Sequence, residues 1–168
     1  MSEPAVSDTG TLLRLLCAAN VEFIVVGMTA AVLLGVPTTT QDLDIVHRRT
    51  DENVDRLIAV LTGIGAYYRH DMARRRLPPD RAALVGAGHV NLQTTHGPLD
   101  LLCTLDDGKD YEALLPRTTS VEDGNITLRV LDLPSLIEIK SRAARPKDKL
   151  AIPLLLATLS RRGDDQKS

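Results

Sequence analysis

Tryptophan is missing from this chain, phenylalanine occurs once and tyrosine three times. With so few rings, platforms on which bases could stack are scarce. Cysteine is almost as rare: Cys17 and Cys103 stand far apart and outside any metal-ligand spacing, and the four histidines share none either. That argues against a disulfide framework and against a zinc site, and the two cysteines read as buried, reduced thiols in a cytoplasmic protein. No apolar stretch approaches the roughly 20 residues a membrane span needs, and no signal peptide opens the chain, so no membrane partner is expected. Neither sign of charge dominates: 20 basic against 22 acidic residues leave a formal net charge of −2. A nucleotide or nucleic-acid partner must therefore be met by a local cluster rather than by a polyelectrolyte surface.

What is present suffices for one compact unit. The chain has 168 residues, 43% of them apolar, enough for a single domain with a real core and too few for two. Helical spacing over Thr11–Ala19 is followed by a β-branched run, Glu22–Val26, that ends at Gly27. Met28–Leu34 reads as a short helix stopped by Gly35 and Pro37, and Gln41–His47 as a second strand. Thr50, with Asp51 and Glu52 behind it, starts a helix striped by Val54, Leu57, Ile58 and Leu61, ending at Gly63 and Gly65. Residues 69–88 read as an irregular surface loop, basic at Arg74–Arg76 and broken by Pro78-Pro79. Strands are predicted over Val90–Thr95 and Leu99–Leu105 around the turn His96-Gly97-Pro98, and again over Ile126–Leu131. Two helices, Leu133–Ala144 and Pro146–Arg161, close the chain, the second interrupted by Pro153. The order implies an α/β (α+β) fold with a mixed sheet flanked by helices. The expected single domain is residues 1–168, with its core over 21–159 and a disordered tail at 162–168.

The stretch "TTTQDLDIV", residues 38–46, raises the functional question. Side chains alternate along a strand, so Asp42 and Asp44 emerge on one face and Leu43 and Ile45 on the other. Carboxylates that converge repel unless something positive lies between them, and the usual answer is a hard divalent cation with oxygen ligands. Asp100, early in the second hairpin strand, can join them from a neighbouring strand. Three such carboxylates form a platform for two magnesium ions about 3.5–4 Å apart, the clamp of an in-line phosphoryl displacement. Asp-x-Asp by itself is common and is more often a solvated strand end than a metal site. Gly27 adds context, because a glycine after a strand lets backbone N–H groups approach a phosphate. On the Leu133–Ala144 helix, Leu133, Leu136, Ile137 and Ala144 share a face with Lys140 in its middle. Such a lysine either snorkels past the core edge or reaches an anion in a cleft.

Strand, Gly27, short helix, then Thr39 to Val46, then Asp100 in an apolar strand, resembles the DNA polymerase beta superfamily of minimal nucleotidyltransferases. "TTHGPLDLL" (Thr94–Leu102) and "LPSLIEIKSRAARPKD" (Leu133–Asp148) are similar to the abortive-infection type, some of which are toxins of toxin–antitoxin pairs. The resemblance covers about Val21–Leu159. It implies magnesium (two ions), a nucleoside triphosphate (NTP) co-substrate, and Asp42, Asp44 and Asp100 as metal ligands and catalytic residues. It also implies Lys140 as a catalytic cation on the phosphates, with Gly27, Met28 and Thr40 around the nucleotide and Asp148 at a position that orients the basic groups. Arg145 and Lys147 are further candidates at the nucleotide, each of which by itself reads as part of a solvated helix junction. Met28 stands where the family writes glycine or serine, Thr38 where it often has arginine, and Ala151 where relatives often carry a second aspartate. The implied reaction moves a nucleoside monophosphate to an acceptor hydroxyl: an RNA 3′ end (tRNA among the candidates, with a cognate antitoxin as partner), a protein hydroxyl, or a small molecule such as an antibiotic. An inactive member kept as a binding module is the alternative.

Overall fold

In the computed structural model the described residues are 7–143 and 145–165. The first elements are α1 (Thr9–Ala18), β1 (Phe23–Val26), α2 (Gly27–Leu33), β2 (Leu43–His47), α3 (Asp51–Gly63) and β3 (Tyr67–Tyr68). They are followed by α4 (Arg81–Val85), β4 (His89–Thr94), β5 (Gly97–Leu102), α5 (Tyr111–Leu114) and a 3-10 turn at Leu115–Arg117. The chain finishes with β6 (Thr118–Asp123), β7 (Ile126–Leu131), α6 (Leu133–Arg142) and α7 (Pro146–Asp165). The strands form one mixed seven-stranded sheet in the order β3-β4-β5-β2-β1-β7-β6. β2 runs parallel to β5, β1 runs parallel to β7, and the other pairings are antiparallel. This is the α/β class with a helix-flanked mixed sheet that the element order implies.

The two strands at the sheet's middle are apolar for a physical reason. β1 is buried along its whole length and β2 everywhere except at Asp44, as expected where helices cover both faces. Leu12, Leu16, Val54, Leu57 and Leu61 close one side of the core and Leu133, Leu136 and Leu155 contribute from the C-terminal helices. Asp8 caps α1 by accepting the Thr11 backbone N–H at 3.0 Å, and Asp132 caps α6 through Ser135 at 2.9 Å.

Several local expectations change. β2 starts at Leu43, so Asp42 lies just outside the strand and is exposed. The 69–88 segment holds α4, capped by Asp80 through the Ala83 N–H at 2.8 Å. Its five residues are too few for an apolar period to show. The hairpin turn tightens to Thr95-His96, with Gly97 (φ 110°) opening β5. β6, mostly exposed along TTSVED, carries no inward alternation and pairs with β7 through the Gly124 turn. Pro153 does not break α7. That helix runs to Asp165, into the expected tail, while Ala144 and residues 166–168 fall outside the described residues.

Candidate active site

The parallel register of β2 on β5 pairs Leu43 with Leu99, Asp44 with Asp100 and Ile45 with Leu101. Two carboxylates thus stand side by side, one strand spacing apart, on the face their apolar neighbours leave. Both are only half-buried, in a sheet whose other central residues are fully enclosed. The row continues sideways. Asn91 of β4 is the register partner of Asp100, and the Arg69 backbone N–H, just past β3, donates to the Asn91 carbonyl at 3.0 Å. The Arg69 guanidinium then reaches back over the row, donating to Asp100 Oδ1 at 2.7 Å and to the Leu92 carbonyl at 3.0 Å.

Gly27 fits tightly against this row. Its φ is +65°, and a Cβ placed there would meet Asp44 Oδ2 at 2.4 Å and Asp44 Cγ at 3.2 Å. No L side chain occupies that space without driving the carboxylate away. The glycine read from the sequence as a gap for phosphate is here, first of all, the gap that Asp44 fills. Asp42 is placed through its backbone: its carbonyl accepts from Thr29 Oγ1 at 2.9 Å and from Thr40 Oγ1 at 3.2 Å. Thr40 therefore shapes the approach to β2, and Met28 packs on the edge of the core.

Electrostatics concentrate on Asp44. Burial, then the Asp100 and Asp42 carboxylates, push its carboxyl up to about 7, with Lys140 pulling the other way. The cluster is short of positive charge, and a hard divalent cation is the group that its all-oxygen donor set would hold. Asp44 and Asp100 fit such an ion as a pair. Among the described residues no group of three His, Cys, Asp or Glu side chains is arranged to hold a metal: Asp42 stands outside on its exposed turn, and Asp100 has one oxygen committed to Arg69.

Lys140 sits at the rim. Its Nζ donates to Asp148 Oδ1 at 2.7 Å, and Arg145 Nε donates to Asp148 Oδ2 at 2.9 Å. Asp148 is 3% exposed. Burial raises its carboxyl, but the Lys140 and Arg145 hydrogen bonds and charges outweigh it and hold the acid below the ordinary carboxylate value. The lysine stripe on α6 thus ends in an ion pair that ties α6 to α7. Lys147 is exposed. Arg69 is the member that sequence reading missed. It follows a two-residue strand, Tyr67-Tyr68, too short to show a period, so nothing marked it as facing the carboxylates.

No protein-family model and no curated protein matches this chain. Solved structures do. It is similar to the lincosamide antibiotic adenylyltransferase LnuA in its lincomycin-bound crystal structure, with a TM-score of 0.61 at 13% identity over 92% of this chain and 99% of that one. It is also similar to the antibiotic-resistance factor ANT(2'')-Ia in solution, with a TM-score of 0.55 at 15% identity over 89% of this chain and 83% of that one. At such identities the likeness is one of backbone, and the chain has a nucleotidyltransferase fold.

Proposed function

We propose that this chain moves a nucleoside monophosphate from an NTP to an acceptor hydroxyl, with magnesium as cofactor. The observation that carries the reading is the β2–β5 register, which sets Asp44 beside Asp100 above a glycine that admits nothing larger. The lincosamide adenylyltransferase, on the same fold, lends support by example.

In the reaction, the acceptor oxygen forms a bond to the α-phosphorus while the bond from that phosphorus to the pyrophosphate oxygen breaks. Pyrophosphate leaves, and the hydroxyl proton passes to the Asp44–Asp100 pair. The rise of the Asp44 carboxyl to about 7 belongs to the site without a cation, and bound magnesium would lower it. Asp44 and Asp100, with Asp42 on the adjoining turn as a third candidate ligand, would hold magnesium, which would supply positive charge to offset that of the phosphates. Lys140 Nζ has three donors and gives one to Asp148. The others remain for the triphosphate, with Arg145 and Lys147 further out. Asp148 fixes the lysine in place, so the ammonium meets the phosphate without losing rotamer freedom at that moment. A small-molecule hydroxyl, a protein hydroxyl and an RNA 3′ end are the acceptors to be separated; a cognate antitoxin belongs only to the RNA version.

Two measurements test this. Calorimetry with magnesium and ATP should show binding by the parent and at least a tenfold loss for Asp44→Asn, about 1.4 kcal/mol. Transfer of label from α-labelled ATP to small molecules, protein or tRNA should then depend on Asp44. If Asp44→Asn binds magnesium and ATP like the parent, the site is elsewhere.

A further inference from the structure

A cleft of about 440 Å³ opens beside the carboxylate row, between β4 and the segment that follows β3. Its floor includes Asn91, the register partner of Asp100, so the cleft starts one strand spacing, about 5 Å, from the proposed reacting centre. Tyr68 and Leu77 supply its apolar walls, and His70 and His89 stand at its polar edges.

Its hydrogen-bonding capacity is largely unspent. The Asn91 side-chain amide has no partner among the described residues, while its backbone carbonyl is taken by Arg69. The Tyr68 hydroxyl accepts from the Asp80 N–H at 3.3 Å, which leaves its own O–H to donate. His89 Nε2 lies 3.1 Å from the Thr104 carbonyl. It donates there, and Nδ1 is left as an acceptor. The one carboxylate on the lining, Asp71, is saturated: it accepts from the Ala73 and Arg75 backbone N–H groups and from Arg75 Nε, each at 3.1 Å. These contacts, the Arg75 side chain foremost, hold it below the ordinary carboxylate value. The cleft therefore offers donors and acceptors, an aromatic face, and no free negative charge.

We infer that this cleft is the acceptor subsite of the transferase proposed above, on which reading its role rests, and that it takes a compact hydroxylated small molecule, neutral or anionic. The volume suits a drug-sized ligand and is too small for a nucleic-acid stem. Amide and hydroxyl groups recognise a ligand hydroxyl bidentately. On the lining itself a polycationic ligand finds only Asp71, already held by Arg75, and pairing with the exposed Asp106 beside His89 or with the carboxylate row would take it outside the cleft. Its reactive hydroxyl would reach Asp100 past the Arg69 guanidinium, which crosses the row to Asp100 Oδ1.

Amide NMR with a hydroxylated fragment library sorted into neutral, anionic and cationic sets tests this without the natural acceptor. Neutral and anionic fragments should shift the Tyr68, His89 and Asn91 amides, and Asn91→Trp, which fills the cleft, should abolish those shifts. Denaturation of Asn91→Trp at the parent's midpoint shows that the variant folds, and Asn91→Ala, with weakened shifts, gives the same answer without added bulk. Manganese in place of magnesium should broaden the bound fragment's resonances. Hits that are cationic, hits that map elsewhere, an absence of hits, or hits unaffected by both variants overturn the assignment. A protein that binds neither manganese nor ATP but still takes neutral fragments at Asn91 sinks the transferase reading and leaves the cleft as a binding site.

Discussion

At the scale of single residues, the arrangement turns on how much charge a half-buried carboxylate row tolerates. Asp44 and Asp100 are neighbours by register, and Arg69 offsets one of them from the sheet edge; the side chains of Arg69 and Asp100 are 22% and 14% exposed. Removing the guanidinium leaves Asp100 unpaired beside a second acid. Arg69→Gln should therefore cost about 1–2 kcal/mol in magnesium-free urea denaturation, between the values for exposed and for buried pairs. It should also tighten divalent-cation binding, because a competing positive charge has gone. Adding magnesium should then recover most of the lost stability. A variant as stable as the parent without magnesium, or one that binds magnesium more weakly, would show that Arg69 does not balance this site. The glycine opposite answers to the same constraint in another form: what Gly27 provides is room for Asp44 Oδ2.

At the scale of elements, β2 carries a second group that burial controls. His47 is fully enclosed, with Nε2 2.7 Å from the Leu84 carbonyl of α4 and Nδ1 without a partner among the described residues. Burial, the dominant cause, and the nearby Arg49 charge depress its pKa, against the Leu84 hydrogen bond. A depressed value means that the unfolded chain takes up a proton that the folded one refuses. Stability is then fully present above the unfolded value of about 6.5 and is lost as pH falls below it, by up to about 1.4 kcal/mol per pH unit until the folded group titrates. Between pH 7 and pH 5.5 protonation of the raised Asp44 in the folded chain works the other way, so the test is a comparison of denaturations: His47→Leu should gain stability relative to the parent as pH falls. Equal slopes would mean that His47 does not link β2 stability to pH. His47 ended a predicted strand, yet nothing in its spacing marked the contact to α4, which joins residues 37 positions apart. The contrast is general here. β1, β2, α3 and β7 were legible because each repeats an apolar pattern over several residues, and Gly27, Asp44 and Asp100 because a strand, a turn and a period of two place them. β3 at two residues, α4 at five and the exposed β6 show no period, and with β3 went Arg69, whose role is set by sheet order and not by sequence neighbours. Lys140 was legible as an inward-facing cation, and its partner Asp148 as an orienting acid only through resemblance.

At the scale of the whole molecule, charge distribution bears on which acceptor the fold can serve. A protein that grips RNA along its length needs a face of uncommitted cations. Here Arg48, Arg49, Arg69, Arg81, Arg117 and Arg142 each face a carboxylate. In the basic loop Arg75 is paired with Asp71. Arg74 and Arg76, both at φ 53°, project from the same loop, with Arg76 lying 5.3 Å over the Tyr67 ring. Neither has a carboxylate partner among the described residues. Each phosphate contact contributes roughly 0.7–0.9 to the slope of log affinity against log salt. If this loop supplies the phosphate contacts, binding of total tRNA, followed by fluorescence anisotropy from 50 to 300 mM salt, should fall with a slope of about −2. The pair Arg74→Gln and Arg76→Gln should flatten it by about 1.5, while magnesium and ATP binding stay unchanged, because neither arginine touches the carboxylate row. A slope of about −4 or steeper that ignores the double substitution would reveal a basic face elsewhere on the molecule, and the acceptor would then be a nucleic acid engaged over many phosphates.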